Sequence, residues 1–88
     1  MSWRLVIAAS AERSLARLPA KVAAAVVEFL LGPLVENPRR VGHPLQRELA
    51  GLWAARRGAY RIVYEIHDTE RTIAVVRIDH RADVYRSR

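Results

Sequence analysis

Apolar and polar positions alternate at the start of the chain. Trp3, Leu5 and Ile7 share one face and Arg4, Val6 and Ala8 the other, which predicts a first strand over residues 3–8. The period then changes. Ser10 is placed as an N-cap, with Glu12 in the first turn where the helix dipole favours an acid. A short helix packing Ala11, Leu15 and Leu18 ends at Pro19, because the residue before a proline avoids helical geometry. Pro19 suits the first position of a second helix, in which Val22, Val26, Phe29 and Leu30 recur at helical spacing. Gly32-Pro33 should bend or break that helix, and Asn37-Pro38 ends it by about residue 37.

Residues 38–51 hold Pro38, Gly42, Pro44 and Gly51 and read as a connection to a sheet. Gly58-Ala59, between residues 53–57 and 60–66, is a two-residue hairpin turn in which Gly58 supplies the positive φ. Tyr60, Ile62, Tyr64 and Ile66 then share one strand face, and Arg61, Val63 and Glu65 share the other. If the aromatic face packs on the helices, Arg61 points away from the core. A second turn at residues 68–71 leads to a strand over residues 72–79, and a tail covers residues 80–88. The order β-α-α-β-β-β predicts a single α+β domain over residues 1–88. Two N-terminal helices pack on one face of a mostly antiparallel four-stranded sheet. The other face is left for solvent or a partner.

Composition narrows the class. The chain has 88 residues, is 51% hydrophobic and 27% charged, and has no stretch apolar enough to span a membrane. The opening Met1-Ser2-Trp3-Arg4 does not read as a secretory signal. Cysteine is absent, which removes disulfide and thiolate chemistry and favours an intracellular setting. The formal charge is +6, and every basic residue except Lys21 is arginine. Residues 1–38 carry four basic and three acidic side chains, whereas residues 39–88 carry eleven and six, so the excess lies in the second half. That half is expected to face a polyanion.

Phosphate-loop, dinucleotide, HExxH and nucleophile-elbow motifs are all missing. His43, His67 and His80 stand far apart, so no metal site and no cofactor is expected. What remains is Arg61 in mid-sheet, flanked by Arg56 and Arg57, together with His80, Arg81 and Tyr85 at the end of the last strand. Arg39, Arg40 and Arg47 are candidates to flank the same cleft and bind phosphate. Pairing around the turn at residues 68–71 would bring His80 beside the Tyr60 and Arg61 end of the neighbouring strand. Arginines neutralise a phosphorane, histidine titrates near neutrality, and tyrosine stacks on bases or donates a proton. This inventory suits metal-free RNA cleavage by attack of the 2′-hydroxyl on the adjacent phosphate.

Four segments in order, Leu15-Ala16-Arg17-Leu18-Pro19, Pro44-Leu45 with Leu49-Ala50-Gly51-Leu52-Trp53, Arg57-Gly58-Ala59-Tyr60-Arg61-Ile62-Val63-Tyr64, and Ile78-Asp79-His80-Arg81-Ala82-Asp83-Val84-Tyr85, resemble the RelE/ParE toxin superfamily. The resemblance implies the RelE-like fold, a cytoplasmic location and the toxin role in a type II toxin–antitoxin pair. It implies as partner an acidic, largely disordered RelB-type antitoxin that wraps the basic face, with operator DNA reached only through that antitoxin. RelE members cleave mRNA in the ribosomal A site and ParE members inhibit DNA gyrase, so both activities stay open, as does a degenerate toxin serving only as corepressor. By the same resemblance Arg61 is the active-site arginine after the strand tyrosine, and Arg81 and Tyr85 orient phosphate and stack on a base. Leu52 and Ala54 stand where the best-known RelE enzyme has lysines, which leaves His80 as the candidate for proton transfer.

Overall fold

The computed structural model describes residues 3–80. Its elements are β1 (Arg4–Ile7), α1 (Ala9–Ala16), α2 (Ala20–Phe29), β2 (His43–Pro44), β3 (Trp53–Arg57), β4 (Tyr60–His67) and β5 (Thr72–His80). The strands form one sheet in the order β1-β5-β4-β3-β2, with β1 parallel to β5 and the other neighbours antiparallel. Ala11 of α1 and Val26 and Phe29 of α2 share one buried core with Ile62 and Tyr64 of β4 and Val75 of β5. Both helices therefore cover the same face of the sheet, and the α+β class read from the sequence holds.

Five strands rather than four is a correction. The additional strand, His43–Pro44, pairs with Ala54 and Trp53 at the outer side of β3. Two residues carry no period to read, and Pro44, which has no N–H to donate, fits only a sheet edge.

The helix boundaries differ in instructive ways. Ser10 is not the N-cap of α1; that position is Ala8, in extended geometry and without a side-chain cap. The Ala8 N–H donates to the Val75 carbonyl at 2.8 Å, so the chain stays tied to β5 up to Ala8 and turns helical immediately afterwards. Ser10 lies inside α1, and its hydroxyl donates to the Val76 carbonyl at 2.8 Å. Pro19 is the N-cap of α2 rather than its first helical residue. At Leu30–Leu34 the helix widens into a π-helical turn around Pro33. A proline removes one backbone donor and crowds the carbonyl four residues back, and a wider turn relieves both. The Asn37 N–H still reaches the Pro33 carbonyl at 3.1 Å, and the helical path ends there, as the sequence predicts.

The β3–β4 turn is the expected two-residue connection: Arg57 pairs with Tyr60, and Gly58 has φ +62°. Between β4 and β5 the pairing slips by one residue. Val63 faces Arg77 while Tyr64 faces Val75, which leaves Val76 unpaired in a β-bulge. The bulge resolves a parity conflict. Val75 and Ile78 both lie in the helix-facing core although they stand three positions apart, an odd spacing that regular alternation would send to opposite faces. Beyond the bulge, Arg77 and Asp79 emerge on the face away from the helices. The Val76 carbonyl displaced by the bulge is the one that Ser10 satisfies.

Candidate functional site

Arg61 sits between Ile62 and Tyr60 on β4, and Ile62 is fully buried under the helices, so Arg61 faces the opposite side of the sheet. Cross-strand pairing sets its neighbours. Arg56 of β3 lies directly opposite on one side and Asp79 of β5 directly opposite on the other, giving an outer row Arg56, Arg61, Asp79 across three strands. The next row is Ala54, Val63, Arg77, in which Ala54 and Val63 are buried although they lie outside the helix-facing core. Arg77 Nη2 lies 2.8 Å from Asp79 Oδ2. Directly opposed residues hold their Cβ atoms about 4.5–5.5 Å apart, and like charges so placed repel. The Arg56–Arg61 pair is thus an unfavourable juxtaposition that an anion would relieve, and arginine forks suit a phosphate.

His80 pairs with Tyr60, so the register expected from the sequence is the one observed. Strand alternation places both on the helix-facing side, and their rings meet edge to face with centroids 4.9 Å apart. His80 and Arg61 therefore occupy the same end of the sheet from opposite faces. On the His80 side, Tyr60 and Arg57 border an open groove of about 430 Å³ between α2 and the hairpin, floored by Val22 and Ala25 with Lys21 at its rim. Arg57 borders this groove; Arg56 pairs with Arg61 across the strands and, together with Arg57, also borders a second open pocket beside Glu28, Phe29 and Pro33. Arg81 and Tyr85 lie outside the described residues.

The structure does not bring the other basic candidates to Arg61. Arg39 grips Asp68 with two hydrogen bonds, Nη1 to Oδ1 at 3.1 Å and Nη2 to Oδ2 at 2.8 Å, and its guanidinium lies 5.8 Å from the Trp53 ring centre. The hydrogen bonds raise the Arg39 pKa and hold the Asp68 carboxyl below its ordinary value. Asp68 follows the far end of β4 from the Gly58 turn. Arg40 is exposed in the turn before β2, and Arg47 opens a short 3₁₀ turn, Arg47–Leu49, with φ +60°. Arg47 lies in the connection that follows β2 and leads into the start of β3, away from Arg56. Leu52 and Ala54 hold no titratable group, so neither contributes to proton transfer.

Arg77 and Asp79 are the residues that sequence reading missed. A signal for them exists in the apolar spacing, since Ile73, Val75 and Ile78 cannot share a face without a bulge, and a bulge turns Arg77 and Asp79 outward. Among the described residues there is no group of three His, Cys, Asp or Glu side chains able to hold a metal ion, and no helix is long and apolar enough to cross a membrane.

Comparison with known proteins places these features in context. Residues 5–85 match the family model for the ParE toxin of the type II toxin–antitoxin system parDE. The chain is 50% identical to Toxin RelG of Mycobacterium tuberculosis over 86 residues, covering 98% of this chain and 99% of that protein. It is 49% identical to Toxin RelE of the same organism over 84 residues, covering 96% of this chain and 87% of that protein. Among solved structures, the toxin–antitoxin complex RelBE2 of M. tuberculosis superposes with a TM-score of 0.89 at 47% identity, over 92% of this chain and all of the matched one. The isolated RelE toxin of Escherichia coli gives 0.75 at 19% identity, over 96% of this chain and 92% of that one, a likeness of fold alone.

Proposed function

The chain belongs to the RelE/ParE family of type II toxin–antitoxin toxins, and from that membership we propose that it is a ribosome-dependent endoribonuclease that cuts mRNA in the A site. The observation that carries the reading is Arg61, facing away from the core on the middle strand of three and directly opposed by Arg56. Two paired strands hold its backbone, so the guanidinium is presented from a rigid platform, as a site built for one phosphate requires.

In the reaction the ribose 2′-oxygen bonds to phosphorus as the bond from phosphorus to the 5′-oxygen breaks. The 2′-hydroxyl loses its proton to a base, and the departing 5′-oxygen gains one from an acid. Arg61 and Arg81 neutralise charge developing on the phosphate and Tyr85 stacks on a base, while His80, whose ring lies against Tyr60 on the opposite face of the sheet, stands outside this cluster. Arg56 adds positive potential beside Arg61. The ribosome supplies much of the substrate positioning, so weak cleavage of free RNA is consistent with the proposal. In the cell the toxin works in the cytoplasm and is silenced by a RelB-type antitoxin, an acidic segment that folds on the basic face and provides the route to operator DNA.

A second reading has a specific observation behind it. The matching family model is described by ParE, and Leu52 and Ala54 offer no proton acceptor. A gyrase inhibitor without chemistry of its own would use the same cationic face as a protein-binding surface. Mapping mRNA 5′ ends by primer extension, in translation reactions with and without ribosomes, separates the two. A-site cuts that require ribosomes support the nuclease; intact mRNA from a protein that still arrests growth supports the inhibitor.

A further inference from the structure

Two complementary polar groups on the outer face stand opposite each other without meeting. Asp79 and Arg61 are directly paired in the β4–β5 register. Arg61 Nε and Asp79 Oδ2 are both buried, and neither has a hydrogen-bond partner among the described residues. Arg77 Nη2 lies close to the same oxygen at 2.8 Å, an ion contact without hydrogen-bond alignment. The Asp79 side chain is 19% exposed, so its carboxylate is held in the sheet surface rather than free in solvent. The carboxylate that β4 carries on this face, Glu65, is engaged with His67 Nε2 at 2.8 Å.

A guanidinium has five N–H donors in a fixed plane. When the Nε edge is anchored by an acceptor of the protein, the terminal nitrogens are left aimed as a fork, the geometry that takes two phosphate oxygens. Hydrogen bonds of this kind are often open in the ligand-free state and tighten when the ligand binds. We infer that Asp79 is the positioning residue of Arg61: as a phosphate engages the terminal nitrogens, the Arg61 Nε–H closes on Asp79 Oδ2 and fixes the guanidinium plane, with Arg77 Nη2 held beside the same oxygen. The inference rests on the outer face being a phosphate site, as proposed above, but does not require that the phosphate be cleaved.

The sign of the effect makes it testable. Removing a carboxylate from a cationic face should tighten binding of a polyanion if charge alone matters. Positioning predicts the reverse. The probe is a single-stranded RNA oligonucleotide with every ribose 2′-O-methylated, which cannot be cleaved, titrated by fluorescence anisotropy into the full-length toxin at low salt. Asp79→Ala is expected to weaken binding roughly fivefold and Arg61→Ala about tenfold, with the double variant no weaker than Arg61→Ala alone. Asp79→Asn, which keeps an acceptor oxygen, should stay within about twofold of the native protein. Unchanged or tighter binding by Asp79→Ala, losses that add in the double variant, or a native toxin that does not bind the probe at millimolar concentration would each overturn the inference.

If Asp79→Ala does not fold, the native protein still decides. The Arg61 Nε–H resonance should move downfield when the probe is added, as its hydrogen bond to Asp79 forms, and an unmoved resonance would contradict the assignment. Neither readout involves cleavage, so a protein that passes both yet leaves ribosome-bound mRNA intact would refute the nuclease reading and leave this one standing.

Discussion

The hydroxyl of Tyr64, wholly buried in the middle of β4, donates to the carbonyl of Pro38, twenty-six residues earlier in the chain. The bond pins the segment that carries Arg39 and Arg40 against the sheet. Replacing Tyr64 by Phe leaves the Pro38 carbonyl without its partner in a dry setting, which costs about 1–2 kcal/mol. The expected result is a fall in melting temperature of about 4–8 °C for each kcal/mol, measured by circular dichroism.

Gly42 fills the remaining space in the same corner. A Cβ at this position would fall inside contact distance of the Tyr64 hydroxyl and 2.7 Å from the Ala54 carbonyl oxygen. Gly42→Ala should therefore destabilise the fold by about 2–4 kcal/mol through overpacking and displacement of the tyrosine. Its cost should be smaller in the Tyr64→Phe background, where the hydroxyl is gone, and a thermal-denaturation cycle on the four proteins measures that coupling.

Burial pushes the Tyr64 phenol up to about 12 from its ordinary value near 10. The folded state thus holds this proton more tightly than the unfolded chain does. The resulting stabilisation is fully present below pH 10 and is lost as pH rises from about 10 to about 12, a loss of up to about 3 kcal/mol. Chemical denaturation across that window should show the decline in the native protein and a shallower one in Tyr64→Phe.

Arg39 is bonded to Asp68, away from the row that holds Arg61. Asp68 lies seven residues past Arg61 along extended chain, on the order of 20 Å away. Arg39→Ala should leave ribosome-dependent cleavage unchanged while the Asp68 carboxyl returns upward toward its ordinary pKa, followed by carboxyl-carbon NMR. The pair supports the folded state above that ordinary value and loses its contribution as pH falls through the depressed one, so Arg39→Ala should flatten stability in the acid range.

Much of this architecture is legible from local pattern. Gly58 between two alternating runs fixes the hairpin, the alternation of Tyr60, Ile62 and Tyr64 decides that Arg61 faces outward, and the turn at residues 68–71 sets the register that brings His80 to Tyr60. What escapes sequence reading is long-range. Ser10 resembles a cap by residue type, but the Ala8 bond to Val75 starts the helix earlier and frees Ser10 for the bulge carbonyl. Arg39 carries no local sign of its partner Asp68, which stands twenty-nine positions away. Asp79 gains its place only through the Val76 bulge, and the separation of His80 from Arg61 follows from the pleat.

Single-turnover cleavage of mRNA on programmed ribosomes, comparing the native toxin with Arg61→Ala, bears most directly on the proposed chemistry. Loss of the Arg61 guanidinium, which faces away from the helices, should slow A-site cleavage by at least about 100-fold, with circular dichroism unchanged. Cleavage by Arg61→Ala at the native rate, or absence of ribosome-dependent cleavage by the native protein, would contradict the account.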